Sequence, residues 1–234
     1  NKTIGIFFAA LFLLSVNISF SQSQLRGTVN LGASIPFGDF HDEYKAGFSG
    51  DIGIFYPLPF PGLELSLRVG YNDFKYKNEY FTDLVSSNLG VAVSNFDPSW
   101  SVKDIPIMVG ARLKIPSLGV KPYVSGELGL HIMSFSDRFN GTRVIGSSSN
   151  PSNFSLQGAT ESGSETGFGF AFGAGVEIPI IMGISIDFNA KYNYSGVTFS
   201  KSFEVFRNNN SNFIAPELKN ASYLSLRAGV ILDL

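Results

Sequence analysis

The sequence contains no cysteine and, past its first residues, no long hydrophobic run. The first absence excludes disulfides, thiolate metal sites and thiol nucleophiles. The second excludes a transmembrane helix after the N-terminal segment, because such a helix needs about 20 consecutive apolar residues. Charge is scarce and balanced, with 17 Lys and Arg against 19 Asp and Glu, a net of -2. No basic run is present to neutralise phosphates, so a nucleic-acid partner is not expected. Tryptophan occurs once and methionine three times, whereas there are 25 Gly, 23 Phe and 9 Tyr. That mixture favours short turns and strands over helices.

The one apolar run is at the start, in "NKTIGIFFAALFLLSVNISFSQ". Lys2 precedes an uncharged stretch from Ile4 to Leu14, and Ser19-Phe20-Ser21 supplies small residues at alternate positions. This stretch is too short to span a bilayer as a helix, but it has the charge, core and small-residue end of a secretory leader. The expected division is a cleavable signal peptide at 1–21 and a single domain at 22–234.

Eight segments of the remaining chain alternate with a period of two: 25–36, 48–56, 63–72, 104–115, 120–132, 167–178, 184–194 and 223–234. The last, "YLSLRAGVILDL", sets Leu224, Leu226, Ala228, Val230, Leu232 and Leu234 on one face. Tyr223, Ser225, Arg227, Gly229, Ile231 and Asp233 lie on the other. The connections alternate too. "PLPFPG", "PSLG" and "PIIMG" are short and rich in turn-forming Pro and Gly. The links at about 37–47, 73–103, 133–166 and 195–221 are longer, and the last three are rich in Ser, Asn, Asp and Phe. An even number of strands, with short turns at one end and long polar loops at the other, predicts an antiparallel sheet closed on itself in a membrane.

The distribution of charge identifies the solvent. The apolar phase of the eight segments holds no Asp, Glu, Lys, Arg or His. The opposite phase holds Arg26, Asp51, Glu64, Arg68, Asp104, Arg112, Lys114, Lys121, Glu127, His131, Glu177, Asp187, Lys191, Arg227 and Asp233. A Lys or Arg facing lipid at the bilayer midplane costs about 2–4 kcal/mol, which accounts for a face without them. The charged phase is also rich in Gly, as a narrow interior filled by long side chains requires. The soluble alternative, an exported barrel with a dry core and an apolar ligand, inverts these faces. The fold expected is therefore all-β: an eight-stranded antiparallel up-and-down transmembrane β-barrel.

With the segments in this order, "DIPIMVGARLKIP", "VKPYVSGELGLHI" and "FGFAFGAGVEIPI" followed by the alternating final strand, the chain resembles the outer-membrane barrel domains of Bacteroidetes-type bacteria. That group includes PorT-like proteins and is similar in architecture to OmpA and OmpX barrels. The resemblance implies a bacterial outer-membrane location and carries over no catalytic residue.

Within the bore, Asp51, Arg68, Arg112, Glu127, Asp187, Lys191 and Arg227 occupy strand interiors and are expected to neutralise one another as a plug, because unpaired charges there would be costly. Pro106 lies in the inward phase of a central strand, where a missing N–H predicts a bulge or bend. Asp39, His41, Asp42 and Glu43 cluster in the first long link. Calcium ligation there matches no defined loop spacing, and solvated charge is the preferred reading. His41 with Asp42 is also the candidate base of a lipid-modifying barrel enzyme, although no nucleophile is placed beside it. His131 shares its phase with Glu127 and reads as structural in preference to proton-sensing. "GFGFAFGAG" lacks the dinucleotide spacing and meets Pro179 where a helix should run.

The function expected is a non-enzymatic, membrane-anchored scaffold, or a secretion or envelope accessory. It is expected to be monomeric, in contact with outer-membrane lipid, and to meet an extracellular or envelope protein partner through loops 133–166 and 195–221, with no cofactor and no metal. The alternatives are a narrow pore for small solutes, the lipid-modifying enzyme and the soluble ligand carrier.

Overall fold

A computed structural model describes residues 25–77, 79, 83, 99–115, 119–138, 143–145, 153–156, 162–200, 203–207, 210–214 and 217–234. Side chains are described for 25–77, 79, 83, 101–115, 119–134, 163–198 and 220–234. The expected leader at 1–21 lies outside these residues.

In chain order the elements are β1 (Arg26–Phe37), the one-turn helix α1 (Asp39–Glu43), β2 (Gly47–Pro57), β3 (Leu63–Lys75), β4 (Ser99–Lys114) and β5 (Lys121–Arg138). There follow β6 (Arg143–Ile145), β7 (Asn153–Leu156), β8 (Ser162–Ile181), β9 (Ile184–Ser200), β10 (Phe203–Arg207), β11 (Asn210–Ile214) and β12 (Glu217–Asp233). Eight of the strands close as β1-β2-β3-β4-β5-β8-β9-β12 and back to β1, every pair antiparallel. Closure pairs Arg26 with Asp233 and Phe37 with Ser222, so β1 and β12 join along their whole common length. The four remaining strands form a separate small sheet, ordered β11-β10-β7-β6.

Each of the eight sequence segments becomes a barrel strand, but several strands run further toward the long-loop end. β5 continues to Arg138, β8 begins at Ser162, β9 continues to Ser200 and β12 begins at Glu217. The expected links at 133–166 and 195–221 are thus partly barrel wall. Their polar sequences, "SFSDR" and "SGSETG", carry no apolar phase because water lies on the outside there, so hydropathy loses the period while the backbone ladder continues. At the other end the turns are tight. Gly62 and Gly183 adopt φ of 78° and 81°, which L-residues with side chains rarely accept.

Pro106 does not form the expected bulge. Its ladder toward β3 lacks pairs at Gly70 and Tyr71, yet the register is the same on both sides of the gap, and the pairing with β5 is continuous through Pro106↔His131. Proline removes one donor and its ring lies over Gly70, where a Cβ would collide with it, so no extra residue is needed. Register shifts occur instead between Pro179 and Ile181, and between Lys219 and Ala221, the latter at Asn220 with φ 56°.

The two phases are segregated as the charges required. Val29, Ile52 and Phe172 point outward with 54%, 59% and 62% of their surface exposed. Asp104, His131 and Glu177 point inward with none exposed. Among the described residues no helix is long and apolar enough to cross a membrane. An exterior band of Val, Ile, Leu and Phe with an ionic interior is stable where hydrocarbon surrounds the sheet.

That assignment makes Val109, 57% exposed on β4, a position of defined cost. Val109→Arg is expected to destabilise the barrel by about 2–4 kcal/mol in lipid vesicles, while Val109→Leu is nearly neutral. Urea unfolding of the vesicle-inserted protein measures the difference, and equal stability of the two variants would contradict an outward lipid face.

Candidate functional site: the filled bore

The bore contains three polar layers and an apolar cap, stacked along the barrel axis. In the middle layer, Arg227 on β12 donates from Nη1 to Asp51 Oδ2 on β2 at 2.6 Å. Arg68 on β3 lies 3.5 Å from Asp51 Oδ2 and 3.5 Å from Glu127 Oε1 on β5. Lys191 on β9 donates to the same Glu127 oxygen at 2.6 Å. Base and acid alternate through Arg227, Asp51, Arg68, Glu127 and Lys191, and apart from Asp51–Arg68 on the paired β2 and β3 each link joins strands that are not neighbours in the sheet. Asn30 completes the Asp51 shell at 2.9 Å.

Two of the expected members belong elsewhere. Arg112 lies nearer the short-turn end, where its Nε donates to Glu64 Oε2 at 2.7 Å and its guanidinium stacks over Phe55 at 3.7 Å and Tyr123 at 4.7 Å. Asp187 accepts from the neutral donors Tyr123 Oη at 2.8 Å and Asn189 Nδ2 at 2.8 Å. Tyr123 therefore links Arg112 to Asp187. The Tyr123 ring lies against Gly175, where any Cβ would strike its phenol. This contact explains one of the inward glycines of β8.

The short-turn layer is centred on Arg26, whose three nitrogens are all engaged. Nε donates to Asp233 at 2.8 Å, Nη1 to Glu64 at 3.0 Å, and Nη2 to Glu177 at 2.6 Å. Lys114 adds a contact to Glu64 at 2.5 Å. These residues were visible in the inward phase of the sequence. Their place near strand ends, where burial is not legible from hydropathy, kept them out of the expected network.

Toward the long loops the third layer holds one carboxylate, Asp104. Asp104 accepts from Tyr223 Oη at 2.6 Å and lies 3.0 Å from His131 Nδ1. Asn72 joins this group to the middle layer, donating to Tyr223 Oη at 3.0 Å and accepting from Ser34, Ser49 and Arg227. His131 thus pairs with Asp104 on β4, not with Glu127, and its Nε2 has no protein partner.

Above this layer the bore turns apolar. Phe40 of α1 packs on Phe74 and Tyr44, with ring centroids 5.0 and 4.6 Å apart, and Phe74 meets Tyr223 at 5.2 Å. Val102 and Met133 are fully buried beside them. A helix of one turn in the first long link was not legible in the sequence. Its signal is the Phe40–Tyr44 spacing, which places both rings on one side. The cap also had an inward-phase signal: past Asn72, Asp104 and His131 the same phase switches to Phe74, Val102 and Met133.

The polar cluster of that link does not converge. Glu43 is buried, while the His41 and Asp42 side chains are 58% and 70% exposed and 3.8 Å apart.

A closed antiparallel barrel with a hydrocarbon-facing exterior and a charged, filled interior defines the outer-membrane β-barrel class, in which short turns face the periplasm and long loops face outward. The family model for the outer membrane protein beta-barrel domain matches residues 6–223, and the chain belongs to that family. Its place is the bacterial outer membrane. Among solved structures the chain is similar to the Neisserial surface protein A, with 15% identity, a TM-score of 0.51, and coverage of 90% of this chain and 97% of that one. It is also similar to a major outer membrane protein from Thermus thermophilus, with 13% identity, a TM-score of 0.49, and coverage of 90% and 98%. A third is Ail, the attachment invasion locus protein of Yersinia pestis, with 12% identity, a TM-score of 0.44, and coverage of 89% and 99%. At such identities the likeness is one of fold. No curated protein matches the sequence.

Removing one member of a buried pair strands its partner, which costs about 3–5 kcal/mol. Arg227→Met is therefore expected to lower stability by that amount, and Arg227→Met with Asp51→Leu by clearly less, because no carboxylate is left alone. Urea denaturation of the folded barrel in detergent measures both, and additive losses would contradict direct coupling.

Proposed function

We propose that this protein is a non-conducting outer-membrane scaffold that acts through its extracellular segments and not through its bore. The observation that carries this reading is the filling of the bore. The Arg227–Asp51–Arg68–Glu127–Lys191 series spans it at mid-height, and the Phe40, Phe74 and Tyr223 rings lie over the extracellular end. An eight-stranded barrel has room for side chains and little else.

The partner surface is assigned to segments 133–166 and 195–221. What supports it is the small sheet: β7 from the first segment pairs with β10 from the second, Val205 opposite Leu156 and Phe206 opposite Ser155. Two connections separated in sequence thus form one body beyond the barrel, and its outer strands β6 and β11 carry backbone edges of the kind that recruit other chains. The non-enzymatic reading is supported by the exposure of His41 and Asp42, 58% and 70%, and by the burial of His131 beneath the aromatic cap.

Planar-bilayer recording of the purified monomer tests the bore. No steady porin-sized conductance is expected from the wild-type protein, and a large steady current would overturn the scaffold reading. Proximity labelling on intact cells tests the surface. Shortening both 143–156 and 203–214 is expected to abolish the labelled set while the heat-modifiable barrel persists, and an unchanged set would refute the assignment. His41→Ala is expected to leave phospholipid and lipid A composition unaltered, and a changed composition would revive the enzyme alternative.

A further inference from the structure

The periplasmic end of the barrel is not closed. Between the β2–β3 and β8–β9 turns lies a vestibule of about 810 Å³ whose wall includes Arg26, Lys114, Lys121 and Glu64. Two features of this mouth require an explanation.

The first is charge. Four cations, Arg26, Arg112, Lys114 and Lys121, face three carboxylates, Glu64, Glu177 and Asp233. Arg112 is buried and Arg26 has all its nitrogens occupied, so Lys114 and Lys121 are the cations left facing the mouth, beside the part-exposed carboxylate of Asp233. The Lys121 side chain is 42% exposed, and its nearest carboxylate oxygen, on Glu177, is 3.9 Å away, beyond hydrogen-bonding distance.

The second is the rim. Periplasmic turns of a membrane barrel are expected to be polar, yet Phe60, Ile180, Ile181 and Met182 are exposed at 66%, 56%, 63% and 101%. The outward faces of the adjoining strand ends are also apolar, with Ile115, Val120 and Leu234 exposed. The opposite end carries aromatic Phe37, Phe48, Tyr71 and Phe168 on its outer face, as a membrane interface prefers. From Phe168 to Ile180, a strand tilted by about 40° climbs roughly 30 Å, against an apolar band of about 25 Å. With the aromatic girdle at the outer interface, the periplasmic rim reaches the headgroups of the inner leaflet.

We propose that the vestibule binds an anionic phospholipid of the periplasmic leaflet. The phosphodiester is seated against Lys121 and Lys114, and the acyl chains lie on Ile180, Ile181 and Met182. The chemistry fits on both counts. Lysine at a membrane surface attracts anionic headgroups, and the apolar rim continues directly into the lipid-facing band, so one molecule satisfies both without leaving its leaflet. A free anion would use only the lysines, and a periplasmic protein would have to displace lipid from the rim.

Native mass spectrometry of the full-length mature protein, released from vesicles of phosphatidylethanolamine and phosphatidylglycerol, tests this. Retention of one phosphatidylglycerol is expected, weakened about fivefold by Lys121→Gln and about twenty-fivefold by Lys114→Gln with Lys121→Gln. Met182→Ser, which leaves every charge in place, is expected to weaken it about threefold. Retention unaffected in the folded double variant overturns the site. Equal binding of inorganic phosphate or glycerol phosphate assigns it to a free anion instead. Cross-links from a photoreactive residue at 182 in cells that reach a protein and not lipid overturn the lipid assignment in favour of a periplasmic partner.

Discussion

A sheet surrounded by hydrocarbon has no water to satisfy an open edge, so β1 must meet β12. Much else follows from that single closure. Once eight strands form a ring, the side chains of one phase have nowhere to go but a bore too narrow to remain a solvent channel. Charges placed there are buried charges, with the desolvation cost that implies, and must be answered by opposite charges or strong donors. The alternation Arg227, Asp51, Arg68, Glu127 and Lys191 answers that demand. A hydrophobic filling of equal volume would be no less stable. The ionic filling adds specificity: each pair fits only one register of the strands it joins, three of the four pairs across non-adjacent strands, so a slip of one residue would strand several charges at once.

The interior changes character along the axis. At the periplasmic end the layer is densely ionic and open to a vestibule. At mid-height it is ionic and closed, and next comes the Asp104–His131–Tyr223 group with a single carboxylate. At the extracellular end it is aromatic. Tyr223 joins the last two, its ring on Phe74 and its hydroxyl on Asp104. From outside, the Phe40, Phe74 and Tyr223 rings precede the Arg227–Asp51 layer, whereas from the periplasm the Arg26 layer comes first.

How much of this was legible follows the physics of each region. Where lipid lies outside, the inward and outward phases differ sharply, and all eight strands could be read from segments such as 104–115 and 184–194. Beyond the membrane both faces meet water or other loops, so the extensions of β5 to Arg138 and of β8 from Ser162 carried no period. The same limit applied within the bore. Phase told which residues point inward, Arg26 and Glu64 included, but not the height at which each sits. Height depends on strand tilt and stagger, which no single strand encodes. Arg112 and Asp187 were therefore grouped with Asp51 and Arg68, although Arg112 reaches Glu64 and Asp187 turns to Tyr123. Pro106 was misjudged for a related reason: its cost falls on one ladder only, and Gly70 across the strand accommodates its ring.

The two barrel ends also differ in what holds them in the membrane. The extracellular end has aromatic residues on its outer face and strands that rise past the lipid. The periplasmic end has short turns tipped with Phe60, Ile181 and Met182. Displacement toward the outside would lift the girdle of Phe37, Phe48, Tyr71 and Phe168 from the interface into water, and displacement inward would draw the polar strand extensions into hydrocarbon. Both costs scale with the area transferred, so the depth of the barrel is fixed from both sides. A fixed depth holds the small sheet of β6, β7, β10 and β11 at a constant height above the lipid, which is the condition under which a passive scaffold can present one surface reproducibly to a partner.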